Sequence, residues 1–504
     1  MKSKKNVKKY IVNQIIQDKQ CEDDYVTKCM GAFGIWQALV CLLVSITRVI
    51  AGWHIITIVY LTPNTDFVCV EFDNDKTDLD EVKNNTCYDD CVKYAYNNTI
   101  FETTLTSEFE LICGRSWMAS FTQTILMLGL FMGVNLFGWI SDRYGRRISL
   151  TVSVAVPVIF SIASPFATNY WTFNFLRFFI GLGCGGIFAV SIVLIVEITG
   201  SQYRELGGGL GIIVDGIGQA TLVIFAYYST TWRIFILSLG LVSTLILSSL
   251  IFLPETPRWL MANKQNKKAL ELMTRVAKFN NLSTDNIKEN IDKAIKEIEE
   301  KQKNKTTTPG FTDLFKTKEM SLITIFSTIV WCVAGVCFFG INQYVTLLGS
   351  NVHIIVLASG LVQIPANVSA TVLNIYCGRK TSSFSFAIIT GIVMGILSFI
   401  PDGDWAATFA VAGLYSASAL FTVLIVQVTE LFPTVLRSKA YGVNSGGSKL
   451  ASMIAPFVVN IKPHWISSII FSITALIGAG FSLLLPETKG ITLKDTSTSK
   501  EAVA

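Results

Sequence analysis

The chain has 504 residues, of which 51% are hydrophobic and only 15% charged, with a formal net charge of +5 and a mean hydropathy of +0.50. These proportions lie outside ordinary globular usage and exclude a conventional soluble enzyme of this length. The small basic excess is spread along the chain at the ends of apolar stretches, which is the pattern of membrane topology rather than of nucleic-acid binding.

Twelve apolar stretches recur, at roughly 31–60, 117–140, 148–168, 172–195, 207–229, 232–253, 320–345, 351–376, 383–401, 404–428, 438–461 and 465–485. Each approaches or exceeds the ~20 residues that a helix rising 1.5 Å per residue needs to cross a ~30 Å hydrocarbon core. An all-α membrane protein of twelve transmembrane helices is therefore expected. Residues 1–30 form a Lys-rich N-terminus (Lys2, Lys4, Lys5, Lys8, Lys9) that builds no cleavable leader, so the first span serves as its own signal. Basic residues then follow the even-numbered spans: Arg143, Arg146 and Arg147 after the second, Arg204 after the fourth, Arg258 after the sixth, Arg379 and Lys380 after the eighth, Arg437 and Lys439 after the tenth. Both termini are expected in the cytoplasm.

The first half, 31–254, contains an acidic loop at 61–116 that carries Cys69, Cys87, Cys91 and Cys113. Four cysteines in an oxidising compartment predict two disulfides, with three pairings open. Each bridge would add ~2–4 kcal/mol to a loop with little core of its own. Asn84 and Asn97 begin glycosylation sequons in the same loop, although Asn281 and Asn304 match the pattern on the opposite side by chance.

Four ionisable residues fall inside spans, where each costs at least ~2.5–3.5 kcal/mol. They are Arg48 in span 1, Arg177 in span 4, Asp215 in span 5 and Lys449 in span 11. Arg177 is close enough to a span end to snorkel, and Asp215 is as well suited to pairing with Arg48 as to touching a ligand. The tract Gly181-Leu182-Gly183-Cys184-Gly185-Gly186 has a dinucleotide-binding spacing but no preceding strand, so its small residues are read as close helix packing. There is no phosphate-binding loop, and His54, His353 and His464 show no metal-ligand spacing. No catalytic residue, cofactor or metal is expected.

Residues 255–319 divide the spans six and six. Leu270, Met273 and Val276, then Ile287, Ile291, Ile295 and Ile298, recur at helical spacing among Lys and Glu, so amphipathic helices should cover the inner mouth or regulate it. The second half, 320–485, places Trp331, Phe338, Phe339 and Tyr344 beside Asn342 and Gln343 in span 7, where aromatic rings and a few polar groups suit a small-molecule site. Phe225, Tyr227 and Tyr228 of span 5 are candidates to face them. A tail, 486–504, closes the chain. Three motifs repeat between the halves: Gly138 to Arg147 against Asn374 to Lys380, Glu197 to Arg204 against Glu430 to Arg437, and Pro254-Glu255-Thr256 against Pro486-Glu487-Thr488. Two pseudo-symmetric six-helix halves follow, an architecture common among secondary transporters.

The tract Gly138 to Arg147 resembles the signature loop of the major facilitator superfamily. The tracts Pro254 to Leu260 and Glu430 to Arg437, with the cysteine-bearing loop, resemble the organic cation/anion/zwitterion transporter family, and Ala51 to His54 with Pro63 to Phe67 are similar to its insect, carcinine-transporter-like branch. The resemblance runs from about 30 to 490. It implies a multi-pass plasma-membrane carrier of small organic ions, a monomeric transport unit whose coupling ion the sequence does not name. It further implies a gating latch at the cytoplasmic mouth, built from Asp142, Arg143, Arg146, Glu197, Arg204, Glu255 and Arg258 in the first half. Arg379, Glu430, Arg437 and Glu487 would serve in the second. Cation-carrying members have acids where this chain has Lys449 and Gln363, so an organic anion or zwitterion is the expected substrate. A carcinine-like amine is the alternative, and a non-transporting receptor the alternative of another class. The expected substrate contacts are Lys449, Asp215, Gln363, Trp331, Phe338, Tyr344 and Arg48.

Overall fold

The structure, a computed structural model, describes residues 25–72, 83–200, 204–284, 287–303, 310–433 and 436–489. Lys2 to Lys9, Asn304 and the tail beyond 489 lie outside the described residues, as do the side chains of Arg204 and Ile298. Among the described residues, twelve helices form the body of the bundle. In the first half these are α1 (Ile35–Ile56), α2 (Trp117–Tyr144), α3 (Arg146–Ala163), α4 (Tyr170–Ile198), α5 (Arg204–Tyr228) and α6 (Trp232–Ser249). In the second they are α7 (Lys318–Leu348), α8 (Val352–Cys377), α9 (Arg379–Leu397), α10 (Asp404–Leu431), α11 (Arg437–Ser452) and α12 (Trp465–Leu484). Among the described residues, ten are long and apolar enough to cross a membrane, and α5 adds a shorter apolar run, Ile213–Tyr228. α11 is the polar exception, with Asn444, Ser448 and Lys449 buried along it.

The halves repeat each other in detail. α2 meets α3 at Gly145 (φ +107°), and α8 meets α9 at Gly378 (φ +94°), a backbone region that favours glycine. Within the first half, α2 and α4 lie nearly backbone to backbone: a Cβ on Gly181 would stand 2.3 Å from the Leu126 carbonyl oxygen, and one on Gly133 only 2.0 Å from that of Leu182. The glycine-rich tract of span 4 is thus a packing surface. A broad apolar core around Leu126, Phe173 and Trp232 fills the first half. Two others, around Leu424 and Phe432 and around Tyr344 and Phe471, fill the second.

The two ends of the bundle differ. One carries the cysteine loop, in which β1 (Asp66–Phe72) pairs antiparallel with β2 (Cys91–Asn97). Of the three pairings left open, the loop adopts Cys69–Cys91 and Cys87–Cys113. It is anchored to the bundle by Glu108, which accepts from Trp232 Nε1 at 2.7 Å and pairs with Arg233. The other end carries the inter-half segment. Its helices Asn266–Phe279 and Ile287–Lys303 press Met273, Val276 and Ile291 against Val26 and Met30 of a short helix before α1. Asn280 fastens this assembly, accepting from the Trp36 backbone N–H (3.1 Å) and donating to Gln37 Oε1 (2.8 Å).

The halves touch at the loop end. Tyr60 OH lies 3.4 Å from His353 Nδ1, Ser120 Oγ donates to the Pro456 carbonyl (3.0 Å), and Thr124 Oγ1 donates to that of Met453 (2.9 Å). Towards the other end, the Cα of Gly138 on α2 and that of Gly442 on α11 each look onto open space.

Candidate substrate site and gates

Charged side chains inside the bundle are tolerable only where they are paired, so the partners of the four intraspan ions define the site. Arg48 on α1 grips Asp215 on α5 with both arms, Nε to Oδ1 at 2.9 Å and NH2 to Oδ2 at 2.5 Å. It also donates to Ser191 Oγ of α4 (3.2 Å) and to the Gly211 carbonyl (3.1 Å), and its guanidinium lies 4.8 Å from the Phe188 ring centroid. Gly52 and Gly218 let α1 and α5 approach closely enough for this pairing; a Cβ on Gly52 would stand 3.1 Å from the Asp215 carbonyl oxygen.

Lys449 is different. Its Nζ lies 4.4 Å from the ring centroid of Phe339, 5.6 Å from Phe421 and 5.9 Å from Phe188, a cage of three rings from three helices. Among the described residues no carboxylate forms an ion pair with it, although it is only 9% exposed. Of the four intraspan ions three are bases and one is the acid held by Arg48. Lys449 and Arg177 are thus buried without an ion pair among the described residues, and of these Lys449 is the one that faces aromatic surface. Rings of this kind attract cations and also give apolar contact to a ligand body.

The other expected contacts disperse. Phe338 stays near the cage, 5.7 Å from Phe421. Trp331 packs edge-on against Phe421 and Tyr441 and is 2% exposed, so it supports the cage from behind. Tyr344 turns into the second half, where its hydroxyl meets Ser468 Oγ and the His464 carbonyl, both at 2.8 Å. It borders a crevice of about 300 Å³ at the loop end, apart from Lys449. Gln363 donates at 2.7 Å to Gln219 Oε1. Phe225 packs on Trp53, whereas Tyr227 and Tyr228 are exposed at the end of α5 rather than opposite α7. Arg177 does not snorkel: it is 1% exposed and donates to the His54 carbonyl at 3.0 Å. Sequence reasoning missed Phe188, Phe421 and Gln219. Only Gln219 left a signal, one helical turn from Asp215 on the same face of α5.

At the end away from the cysteine loop, the repeated motifs fold into two matching charge clusters, each within its own half. Arg146 holds Glu197 with Nε and NH2 at 3.0 and 2.7 Å and Asp142 at 3.1 Å. Thr256 donates to Glu197 at 2.5 Å, and Arg258 Nε to the Glu197 carbonyl at 3.1 Å. Glu255 accepts from the backbone N–H groups of Arg146 and Arg147 at 2.9 and 3.2 Å. In the second half Arg379 holds Glu430 (2.7 Å), Thr488 donates to Glu430 (2.6 Å), and Glu487 accepts from the N–H groups of Arg379 and Lys380 at 2.9 and 3.1 Å. Arg437 opens α11 beside this cluster's helix, while Arg143 lies against the rings of Trp139 and Tyr144. The mirror is incomplete, because Ile375 stands where Asp142 stands in the first half. Burial raises Glu255 above the ordinary carboxylate value despite its backbone donors. In Glu487 burial acts in the same direction, but four backbone N–H groups outweigh it and lower the carboxyl.

These geometries set an order of effects. Asp142 is 82% exposed at its side chain, so Asp142→Asn should shift stability by less than ~1 kcal/mol. Glu197→Gln, which takes the main partner from a mostly buried Arg146, should cost several times more. Thermal melts of the two purified variants check this, and a larger loss in Asp142→Asn would refute it.

Two six-helix halves, charge-bearing helices at mid-bundle and matched clusters at one mouth define a membrane carrier of the major facilitator class. Residues 40–499 match the family described as "Sugar (and other) transporter". The chain is 31% identical to rat "Solute carrier family 22 member 3" over 78% of this chain and 71% of that protein. It is 26% identical to a Drosophila melanogaster "Organic cation transporter-like protein", covering 93% and 90% of the two chains. With human "Organic cation/carnitine transporter 2" it shares 27% identity over 83% and 75%. Among solved structures, a partially occluded inward-open xylose transporter from E. coli superposes with a TM-score of 0.66 at 18% identity, covering 90% of this chain and 99% of that one. The chain belongs to the sugar (and other) transporter family of the major facilitator superfamily and, within it, to the organic cation/anion/zwitterion transporters.

Proposed function

We propose that this carrier moves small organic anions or zwitterions across the plasma membrane by alternating access. The halves 31–254 and 320–485 would rock about a central site, with 255–319 as their tether. The cysteine loop, with exposed Asn84 and Asn97 as glycan acceptors, would face outside, and both termini would lie in the cytoplasm. The basic residues at the ends of even-numbered spans support that orientation. The charge clusters would engage each other when the cytoplasmic mouth closes.

The observation that carries the substrate class is Lys449. No carboxylate stands within ion-pair distance of it among the described residues, while both oxygens of Asp215, the nearby acid, are taken by Arg48. A substrate carboxylate would complete the site, and the rings of Phe339, Phe421 and Phe188, which already surround the Lys449 ammonium, would give contact to the substrate's apolar portion. A zwitterion such as the carnitine in one relative's name carries such a carboxylate. The second reading, an organic cation such as a carcinine-like amine, is favoured by the names of the organic cation transporter relatives and by the 20% exposure of the Asp215 side chain.

Uptake into sealed vesicles of a labelled organic anion, a zwitterion and a quaternary amine, by wild type and Lys449→Asp side by side, tests the proposal. Anion or zwitterion uptake that falls by ~10-fold or more in the variant supports it, as expected from losing a charge-assisted contact of ~1.5–3 kcal/mol. Amine uptake indifferent to Lys449 overturns it in favour of the second reading. No net flux of any compound points to a receptor.

A further inference from the structure

One buried polar group has no place in the ion site. Gln219 of α5, Asn342 of α7 and Gln363 of α8 join their carboxamides in the centre of the molecule. Gln219 Nε2 donates to Asn342 Oδ1 (2.8 Å), and Asn342 Nδ2 donates back to Gln219 Oε1 (3.0 Å). Gln363 Nε2 donates to that same Gln219 oxygen (2.7 Å) and to the Ser359 carbonyl of its own helix (3.1 Å). Exposures are 4%, 1% and 3%. The cluster bridges the halves, one helix from the first and two from the second. Beneath it the backbones of α5 and α8 touch, since a Cβ on Gly216 would stand 2.7 Å from the Gly360 carbonyl oxygen.

Its position along the helices matters. α5 runs towards the cysteine loop, so Gln219 lies one turn on the loop side of Asp215. The amides therefore separate the Arg48–Asp215–Lys449 site from the loop face. Further out on the same seam the polar contact is longer, Tyr60 OH to His353 Nδ1 at 3.4 Å, with the Tyr227 ring beside that imidazole. Opening the loop face requires α5 to leave α7 and α8, and that strands three amides in a low-dielectric interior until water reaches them. Buried amides are costly without partners and well held with them, so such a cluster acts as a two-state catch.

We propose that Gln219, Asn342 and Gln363 are the catch of the outer gate, positioning residues whose parting admits substrate from the loop side and whose rejoining commits it inward. The proposal rests on the loop face being outside, but not on the substrate class, and its test uses no substrate. Ser359, one turn nearer the loop face on α8 and 0% exposed, provides a reporter as Ser359→Cys. In intact cells a membrane-impermeant thiol reagent is applied to Ser359→Cys alone, then to Ser359→Cys combined with Gln219→Leu, with Gln363→Leu and with both.

Ser359→Cys alone should react slowly. Either Leu variant should raise the rate by about tenfold or more, and the pair should raise it no further than one alone, because the residues act as a unit. Asn342→Ala, a milder truncation, should follow the same course if either Leu variant fails to reach the surface. Fast labelling of Ser359→Cys alone, rates unchanged in variants that reach the surface, or additive effects in the pair would each overturn the proposal.

Discussion

Asp215→Asn should abolish transport and cost about 3–5 kcal/mol of stability, because it leaves the Arg48 guanidinium buried without its counter-charge. Arg48 is 3% exposed and Lys449 9%, so the variant would place two uncompensated cations around the Phe188 ring. The ion pair itself need not be stabilising, since replacing both members of a buried pair by apolar groups is often neutral. Arg48→Met combined with Asp215→Leu should accordingly melt nearer to wild type than Asp215→Asn does, while still failing to transport. The measurement is the thermal midpoint of each purified protein alongside vesicle uptake. If Asp215→Asn melts with wild type, the pairing is not what holds α1 to α5.

Gly181→Ala should be nearly as damaging, although it adds a single methyl group. The new Cβ would stand 2.3 Å from the Leu126 carbonyl oxygen, an atom of helix backbone that cannot swing aside, so α2 and α4 must separate. Overpacking of this kind costs ~1–3 kcal/mol and sometimes more. Gly138→Ala on the same pair of elements is the matched control. Nothing lies within 4 Å of its Cβ, and alanine is the better helix former by ~1 kcal/mol, so it should be neutral or mildly stabilising. Midpoints that fall equally for the two variants would remove the contact between α2 and α4 from the account.

Particular residues show where reading the sequence succeeds. The twelve stretches, the small-residue tract at Gly181 to Gly186 and the paired motifs around Arg146 and Arg379 are local patterns, and each is fixed by one requirement. Backbone groups in hydrocarbon must be satisfied within a helix, close helices need small residues, and a duplicated unit repeats its turns. The repeat carries through to the spacing of the cluster partners, which no sequence pattern had paired: Glu197 lies 51 residues after Arg146, and Glu430 lies 51 after Arg379.

The tertiary structure decided what depends on distance between helices far apart in sequence. No pattern in span 5 distinguishes an Asp215 held by Arg48 from one open to a ligand, since the answer lies 167 residues away. The four loop cysteines allowed three pairings, and the folded loop joins Cys69 on β1 to Cys91 on β2 and Cys87 to Cys113. Trp331 and Tyr344 shared a span and an aromatic character with Phe338 but, by rotation and depth on α7, went behind the cage and to the loop end. Sequence alone determined that this chain is a duplicated twelve-helix membrane protein, because hydrophobic period, charge placement and repeats are written residue by residue. The structure alone decided that Arg48 and Asp215 cancel, that Arg177 turns to a backbone carbonyl and that Lys449 faces three aromatic rings, because electrostatic pairing is a property of contacts that only the packed bundle brings together.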